Sequence, residues 1–350
     1  MAVGAALVAG ATTATAGDEP TFYGKLHLSI DSMDNGGKTV AGVDNSEDGI
    51  FVSSNSSRFG FKGAVDLDGG LKAVYKYEIF TDYATEGLKG NRNAYLGLKG
   101  GFGQIVAGRH DMPFKTVGRK HDLFGDTIGD TRAVTRLKTD GDDWADRSDN
   151  VVMYTNKFGA VGVKIVLGQG ELDDKANDTG IGINYKQGPI SVMFANETHG
   201  KGNLSGATAP AVEKDSTGNF LAGSYKMGAM TFLAGYAAMD NIGGDEDLSA
   251  TAYTLAAKMK SGMNTFKIQY TGAEADYDPA PSAKLTSTLL AVGVDHKLGK
   301  KTTVYAVYAQ IDNDADIDFG FTDTGHDKTV KQNLEGDDPS GFSIGMIHKF

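Results

Sequence analysis

No cysteine occurs anywhere in the chain, so neither a disulfide framework nor a thiolate metal site is available to it. Proline is scarce too, at 7 of 350 residues, and few extended segments are therefore forced to break. After residue 20 no apolar run approaches the roughly 20 residues that a membrane-crossing helix requires, which excludes helical spans from the body of the chain. Basic residues are outnumbered, with 34 Lys and Arg against 45 Asp and Glu and a net charge of -11. That balance argues against nucleic acid as a partner, because phosphate binding needs cations gathered on one face. There is no P-loop, no G-x-G-x-x-G opening a helix and no H-E-x-x-H among the seven histidines, so the chain reads as a non-enzyme without cofactor or metal.

What the chain does have is glycine, at 48 residues, and aromatics that are nearly all Phe and Tyr (17 and 14, against one Trp), a composition suited to many strands joined by tight turns. The order of residues agrees. From Phe22 the period is two, with Phe22, Gly24, Leu26, Leu28 and Ile30 alternating with Tyr23, Lys25, His27, Ser29 and Asp31. The same alternation recurs from Leu71 to Ile79, from Val161 to Leu167, from Phe266 to Tyr270 and from Tyr305 to Ile311. A strand that faces hydrocarbon on one side needs only about 10 residues with every second one apolar. Modest overall hydrophobicity therefore does not count against a membrane barrel.

The connections are of two kinds, and the kinds alternate. Seven are short and centred on glycine, at Asp68-Gly69-Gly70, Gly100-Gly101, Phe158-Gly159, Gly188-Pro189, Gly228, Ser261-Gly262 and Gly299. Eight are long and polar, near residues 32–50, 81–91, 110–146, 171–177, 199–216, 240–248, 273–284 and 312–339. Fifteen connections join sixteen strands, with every short turn at one end and every long loop at the other. Bacterial outer-membrane barrels are sorted in this way, and their sheets must close because an edge in lipid leaves backbone groups unpaired. The expected fold is all-β, a closed 16-stranded antiparallel transmembrane barrel. A barrel of about this size is too wide for side chains to fill, so its lumen holds water. Lys62, Lys72, Lys76, Glu78, Lys164, Lys267 and Gln269 occupy alternate positions that such a lumen accepts. Ahead of the barrel, assigned to residues 17–350, the run MAVGAALVAGATTATA ends in Ala14-Thr15-Ala16, which predicts a signal-peptide remnant over residues 1–16.

Four segments, TFYGKLHLSID, SSRFGFKGAVDL, NRNAYLGLKGGFGQIVAGRHDMPF and the terminal SIGMIHKF, resemble the trimeric general-diffusion porins of Gram-negative bacteria in this order along the chain. The resemblance implies an outer-membrane location, passive passage of ions and small hydrophilic solutes, and a homotrimer latched by the loop near residues 81–91. It also implies contact with outer-membrane lipids and lipopolysaccharide, and insertion by the barrel-assembly machinery through a signal ending at Phe350. The long segment 110–146 resembles the third loop of these porins, which folds inward and narrows the pore. Within it Asp122, Asp126 and Asp130 are spaced four apart and on a helix would share one face toward the pore. Facing them the family carries basic residues on the barrel wall, matched here by Arg58, Arg92, Arg109 and Arg147. Arg58 is flanked by outward Phe59 and Phe61, Arg92 has the parity of Ala94, Leu96 and Leu98, and Arg147 shares parity with Val151 and Met153. Thr155 stands where several relatives have a further basic residue.

Opposed charges about 8 Å apart lie within one Debye length at physiological salt, so across a constriction they act as an electrostatic filter. A substrate-specific channel, and a surface adhesin or phage receptor acting through the loops, are the rival functional readings; a soluble β-sandwich is the structural rival. Asp312, Asp314, Asp316 and Asp318 imitate the start of a calcium-binding loop, but Ile317 stands where glycine is needed. A solvated acidic loop tip, touching lipopolysaccharide through divalent ions, accounts for them better.

Overall fold

The period-two segments form strands because alternate apolar side chains can all face one way only on extended backbone. The computed structural model describes residues 19–37, 45–85, 87–135, 138–139, 142–144, 147–168, 178–200, 214–277, 285–317, 319–321 and 335–350. The expected signal remnant and Asp318 lie outside the described residues.

Sixteen strands follow one another around the barrel. They are β1 (Thr21–Asp34), β2 (Asp48–Ser54 and Arg58–Asp66, interrupted at residues 55–57), β3 (Lys72–Asp82), β4 (Gly87–Gly100), β5 (Gly103–Asp111) and β6 (Arg147–Phe158). Then come β7 (Val161–Gly168), β8 (Thr179–Gln187), β9 (Ile190–His199), β10 (Ser216–Met227) and β11 (Met230–Asp240). The last five are β12 (Leu248–Ser261), β13 (Asn264–Tyr277), β14 (Leu285–Lys297), β15 (Thr302–Asn313) and β16 (Ser340–Lys349). Every strand pairs antiparallel with its neighbours in sequence. β16 returns to β1, in a register running from Lys25 opposite Lys349 to Asp34 opposite Ser340. All fifteen expected connections fall between consecutive strands. Within the stretch 81–91, Asp82 pairs with Gly87 and Thr81 with Leu88, so strand pairing runs into it from both sides.

The outer surface carries the apolar belt. Leu28, Ile30, Leu96, Phe266, Ile268, Phe342 and Ile344 are exposed, while the residues between them turn into the barrel. β15 reverses this pattern. Its apolar row, Tyr305, Val307, Ala309 and Ile311, is buried inside, packed in one cluster with Phe124, Ile128 and Met33. The reason is tertiary, since the segment between β5 and β6 covers that part of the inner wall. This segment contains α1 (Pro113–His121), α2 (Arg132–Thr135) and a two-residue-per-strand hairpin at 138–139 and 142–143.

The barrel is sealed at its seam by the terminal residue. The amide of Phe350 donates to the Gly24 carbonyl at 3.2 Å, and the Gly24 amide donates to the Phe350 carbonyl at 3.3 Å. The Phe350 ring rests directly on Gly24, where an added Cβ would lie 2.2 Å from the ring. Replacing Gly24 by Val pushes the Phe350 ring off its seat and loosens the seam. The Gly24→Val protein is expected to unfold at lower urea than wild type in detergent micelles, and Phe350→Ala in the same background to recover part of the loss.

Candidate functional site

The segment after β5 turns inward at its first residues. Pro113 occupies the first turn of α1, where its missing N–H costs nothing and its fixed φ suits the helix. The free amide of Phe114 donates to Glu197 Oε2 on β9 at 2.9 Å, and Lys164 on β7 donates to the Asp111 carbonyl and to Thr116. These bonds hold the start of the helix against the inner wall. α1 ends on Arg119 and Lys120, cations that suit the negative end of a helix, and on the buried His121, whose ring bonds the Val117 carbonyl.

Beyond α1 the chain crosses to the opposite wall. The Leu123 amide donates to Gln269 Oε1 at 2.8 Å, Lys267 Nζ donates to the Leu123 carbonyl at 3.0 Å, and the same ammonium lies 4.5 Å from the Phe124 ring centroid. Lys164, Lys267 and Gln269 are thus anchors for the loop as well as lumen residues.

The three loop aspartates do not share a helical face. α1 stops at His121, residues 122–131 form turns, and Asp126 has a left-handed backbone (φ 64°). Nor do they present bare carboxylates to an open pore, since Asp126 is 2% and Asp130 0% exposed. The correction has a physical cause: Asp126 and Asp130 are held by cations that the four-residue spacing did not reveal, and Asp122 by neutral donors. Asp126 pairs with Lys25 of β1 at 2.8 Å, with Arg119 at 2.5 Å and with Arg132 at 3.2 Å. Asp130 pairs with Arg132 at 2.5 Å and accepts from the Asp126 amide at 2.7 Å. Asp122 takes neutral donors: the amides of Phe124 and Thr131 and the Gln269 side chain. Burial would raise the pKa of Asp126, but Lys25, Arg119 and Arg132 together hold it well below the usual carboxylate range. Burial, with Asp130 close by, pushes Asp122 the other way, up to about 7.

On the opposite wall a single carboxylate gathers the cations. Glu78 accepts from Tyr23 OH at 2.8 Å and pairs with Arg92 at 2.7 Å, Lys76 at 3.4 Å and Arg58 at 3.9 Å. The interruption of β2 assists. Ser56, at φ 52°, offers its carbonyl to Arg58 and its hydroxyl to Arg92, both at 3.1 Å. Arg58 lies on the inner side, as its parity predicts, within electrostatic range of both Arg92 and the loop's Arg119. Arg92 has the parity of outward Ala94 and Leu96, yet it reaches Glu78 because the β3–β4 pairing shifts register between Tyr77 and Ile79. Arg147 is also inside, tied to Asp111 at 2.9 Å and Asn93 at 3.2 Å. Arg109 is not part of this wall: it shares the outer side of Ile105 and Ala107 and pairs with Asp149 at 2.6 Å. Strand parity with Ile105 was the signal that placed it outside.

Sequence reasoning missed Lys25, Arg119 and Arg132 as members of the site. Arg119 and Arg132 had one visible signal, the interleaving of Arg and Asp within residues 119–132, and Lys25 had its place in the polar row of the first strand. The run Gly341-Phe342-Ser343-Ile344-Gly345 has the spacing of a hydrolase nucleophile turn, but it continues straight along β16 instead of turning into a helix.

A sheet closed on itself, apolar outside and charged within, with a loop bound across its interior, is the arrangement of a pore. The family profile described as Gram-negative porin matches residues 2–316. The chain belongs to the Gram-negative porin family. Outer membrane porin protein 32 of Delftia acidovorans is 27% identical over 366 residues, which cover 99% of this porin and 98% of that protein. Major outer membrane protein P.IB of Neisseria gonorrhoeae is 36% identical over 114 residues, a match spanning about a third of its length (33%) and 32% of this porin. Among solved structures, the anion-selective porin from Comamonas acidovorans superposes with a TM-score of 0.74 at 21% identity, covering 95% of this porin and 100% of that chain. The trimer form of OmpT from Vibrio cholerae gives 0.70 at 20% identity, covering 95% and 100%. This porin is accordingly a protein of the outer membrane.

Linkage gives the loop aspartates opposite pH behaviour. Asp122, with its raised pKa, favours the folded loop when protonated, and that contribution is lost as pH rises from the ordinary carboxylate value through about 7. Asp126, with its lowered pKa, contributes above the ordinary carboxylate value and loses it as pH falls toward its own. Asp122→Asn is expected to flatten the change of single-channel conductance between about pH 5 and 8, recorded in planar bilayers. Asp126→Asn leaves Lys25, Arg119 and Arg132 without their shared partner, a loss of about 3–5 kcal/mol for a buried pair broken on one side. It should lower the midpoint of urea unfolding in micelles.

Proposed function

We propose that this porin is a general-diffusion pore whose narrowest region favours small hydrophilic anions, and that it works as a homotrimer by passage, without catalysis. One observation carries the anion preference. Six cationic side chains, Lys25, Arg58, Lys76, Arg92, Arg119 and Arg132, are gathered about three carboxylates, Glu78, Asp126 and Asp130. Asp122 adds a fourth carboxylate, and the cations still outnumber the acids. The chain's net charge of -11 does not govern this region. Charges more than a Debye length away, about 8 Å at physiological salt, are screened from an ion in the passage, whereas those lining it are not. The filter is therefore an excess of positive charge around Glu78, with the loop acids met by their own cations.

Support for the trimer comes from the outer surface and from the trimeric Vibrio neighbour. Phe22, Ile50 and Ile30 on β1 and β2 are 72, 77 and 60% exposed, the broad apolar face on which subunits would join. Lipopolysaccharide and membrane lipid are the proposed surroundings of the remaining wall. The seam residue Phe350, with Phe342, Ile344 and Met346 on its strand, is the proposed recognition element for the assembly machinery.

In a planar bilayer with a potassium chloride gradient, the wild-type reversal potential is expected to take the sign of chloride permeation. Arg58→Glu should move it toward potassium. A cation-favouring wild type, or an unchanged potential in the variant, would remove the basis of the anion reading.

A further inference from the structure

Six of the seven short turns are entered through the same pattern, Lys-x-Gly. The lysines are Lys99, Lys157, Lys186, Lys226, Lys260 and Lys297, each two residues before a glycine of its turn. Backbone hydrogen bonds set them at one height. The amide of Lys186 donates to the Ala160 carbonyl, that of Lys226 to Pro189, that of Lys260 to Ala229 and that of Lys297 to Met263, each at 3.0 Å. Every acceptor is the residue just after the glycine of the preceding turn, so one lysine recurs per hairpin, two strands or roughly 10 Å from the next. At the seam the Lys349 amide continues the series by donating to the Lys301 carbonyl at 2.9 Å.

Strand parity turns these lysines toward the lumen. Their neighbours Leu98, Phe158, Tyr185, Met227 and Met259 belong to the exposed apolar belt, and successive side chains on a strand take opposite faces. All six lysines are exposed, and among the described residues no carboxylate pairs with them. The inward acids at that end, Asp66 and Asp295, are taken by Lys72 at 2.6 Å and Lys267 at 2.7 Å. The other end has the reverse balance, with Asp34, Asp48, Asp240, Asp245 and Asp312 exposed at strand ends and in loops. Short turns of an outer-membrane barrel face the periplasm and long loops the exterior, so the periplasmic mouth is basic and the outer mouth acidic.

We infer that this lysine ring is a second determinant of anion passage, separate from the narrow region, and that it makes the pore rectify, passing chloride more readily from the periplasmic mouth than from the outer one. Its charges act together because the Debye length, about 10 Å at 0.1 M salt, matches their spacing. A potential of about one kT at the mouth gathers chloride roughly threefold over bulk. A voltage that draws chloride in through this mouth feeds the pore from the enriched layer, whereas the opposite voltage feeds it from the acidic mouth, where chloride is depleted. The inference rests on the anion reading of the pore, and the two fail separately. In about 1 M salt the Debye length shrinks to about 3 Å, so a reversal potential taken there reads the narrow region alone.

The test is the current–voltage curve of single channels of the intact protein in planar bilayers, with equal potassium chloride on both sides. The chain has no cysteine, so Ser261→Cys, in a short turn, reports orientation: a maleimide on a polymer too large for the pore lowers conductance only when added at that mouth. At about 0.1 M salt the current is expected to be about twofold larger when chloride enters by the short-turn mouth, and the ratio to fall to about one at about 1 M. Lys157→Gln, Lys186→Gln, Lys226→Gln, Lys260→Gln and Lys297→Gln combined should abolish the asymmetry and leave the reversal potential at high salt in place. The Lys→Arg changes at the same five positions should preserve it. Equal currents in low salt, a larger current for the opposite polarity, or an asymmetry that survives the Gln changes would overturn the proposal.

Discussion

Hydrocarbon offers no partner to a backbone amide or carbonyl, and that constraint shapes everything else in the molecule. Sixteen strands satisfy it only because β16 returns to β1 and the last residue pairs with Gly24, so that no edge is left in the membrane. Closure at that strand number then creates a second requirement, since the interior is wider than inward side chains can fill. The segment between β5 and β6 meets it in part, and its path across the lumen decides which inner positions stay wet and which become a core. β15 shows the consequence, with an apolar row turned inward because the loop lies on it.

Holding a polar loop inside a barrel raises the cost of burying charge, and the interior meets that cost by pairing. Asp126 and Asp130 are among the most buried of the described groups; loop arginines surround both, and Lys25 of β1 reaches Asp126 as well. Paired in this way they act as fasteners, and their field is spent locally. The cations they share are not fully neutralised, and neither are those around Glu78. Selectivity thus emerges as a remainder: what the passage presents is the charge left over after the loop has been secured.

The strand parity rule served well wherever the backbone was regular. It placed Arg58 and Arg147 inside, and it placed Lys72, Lys76 and Glu78 there too. It erred at the β3–β4 register shift, where Arg92 reaches the lumen against its parity, and it was not applied to Arg109, whose outward position it would have given. The four-residue spacing of the loop aspartates misled for a different reason. Such spacing implies a common face only on a helix, and the chain leaves the helix at His121.

From the residues alone came the strand number, the alternation of turns and loops and the outward belt, whereas the inward path of the long loop was what a family resemblance implied. The first three are local or periodic properties, legible because a strand's faces repeat every two residues and a turn announces itself with glycine. Only the tertiary structure decided which charges meet. Lys25 and Asp126 are a hundred and one residues apart in sequence, as are none of the patterns a periodic reading detects. Their contact and the inward apolar face of β15 both follow from where one loop crosses the lumen, and no repeat in the chain encodes that path.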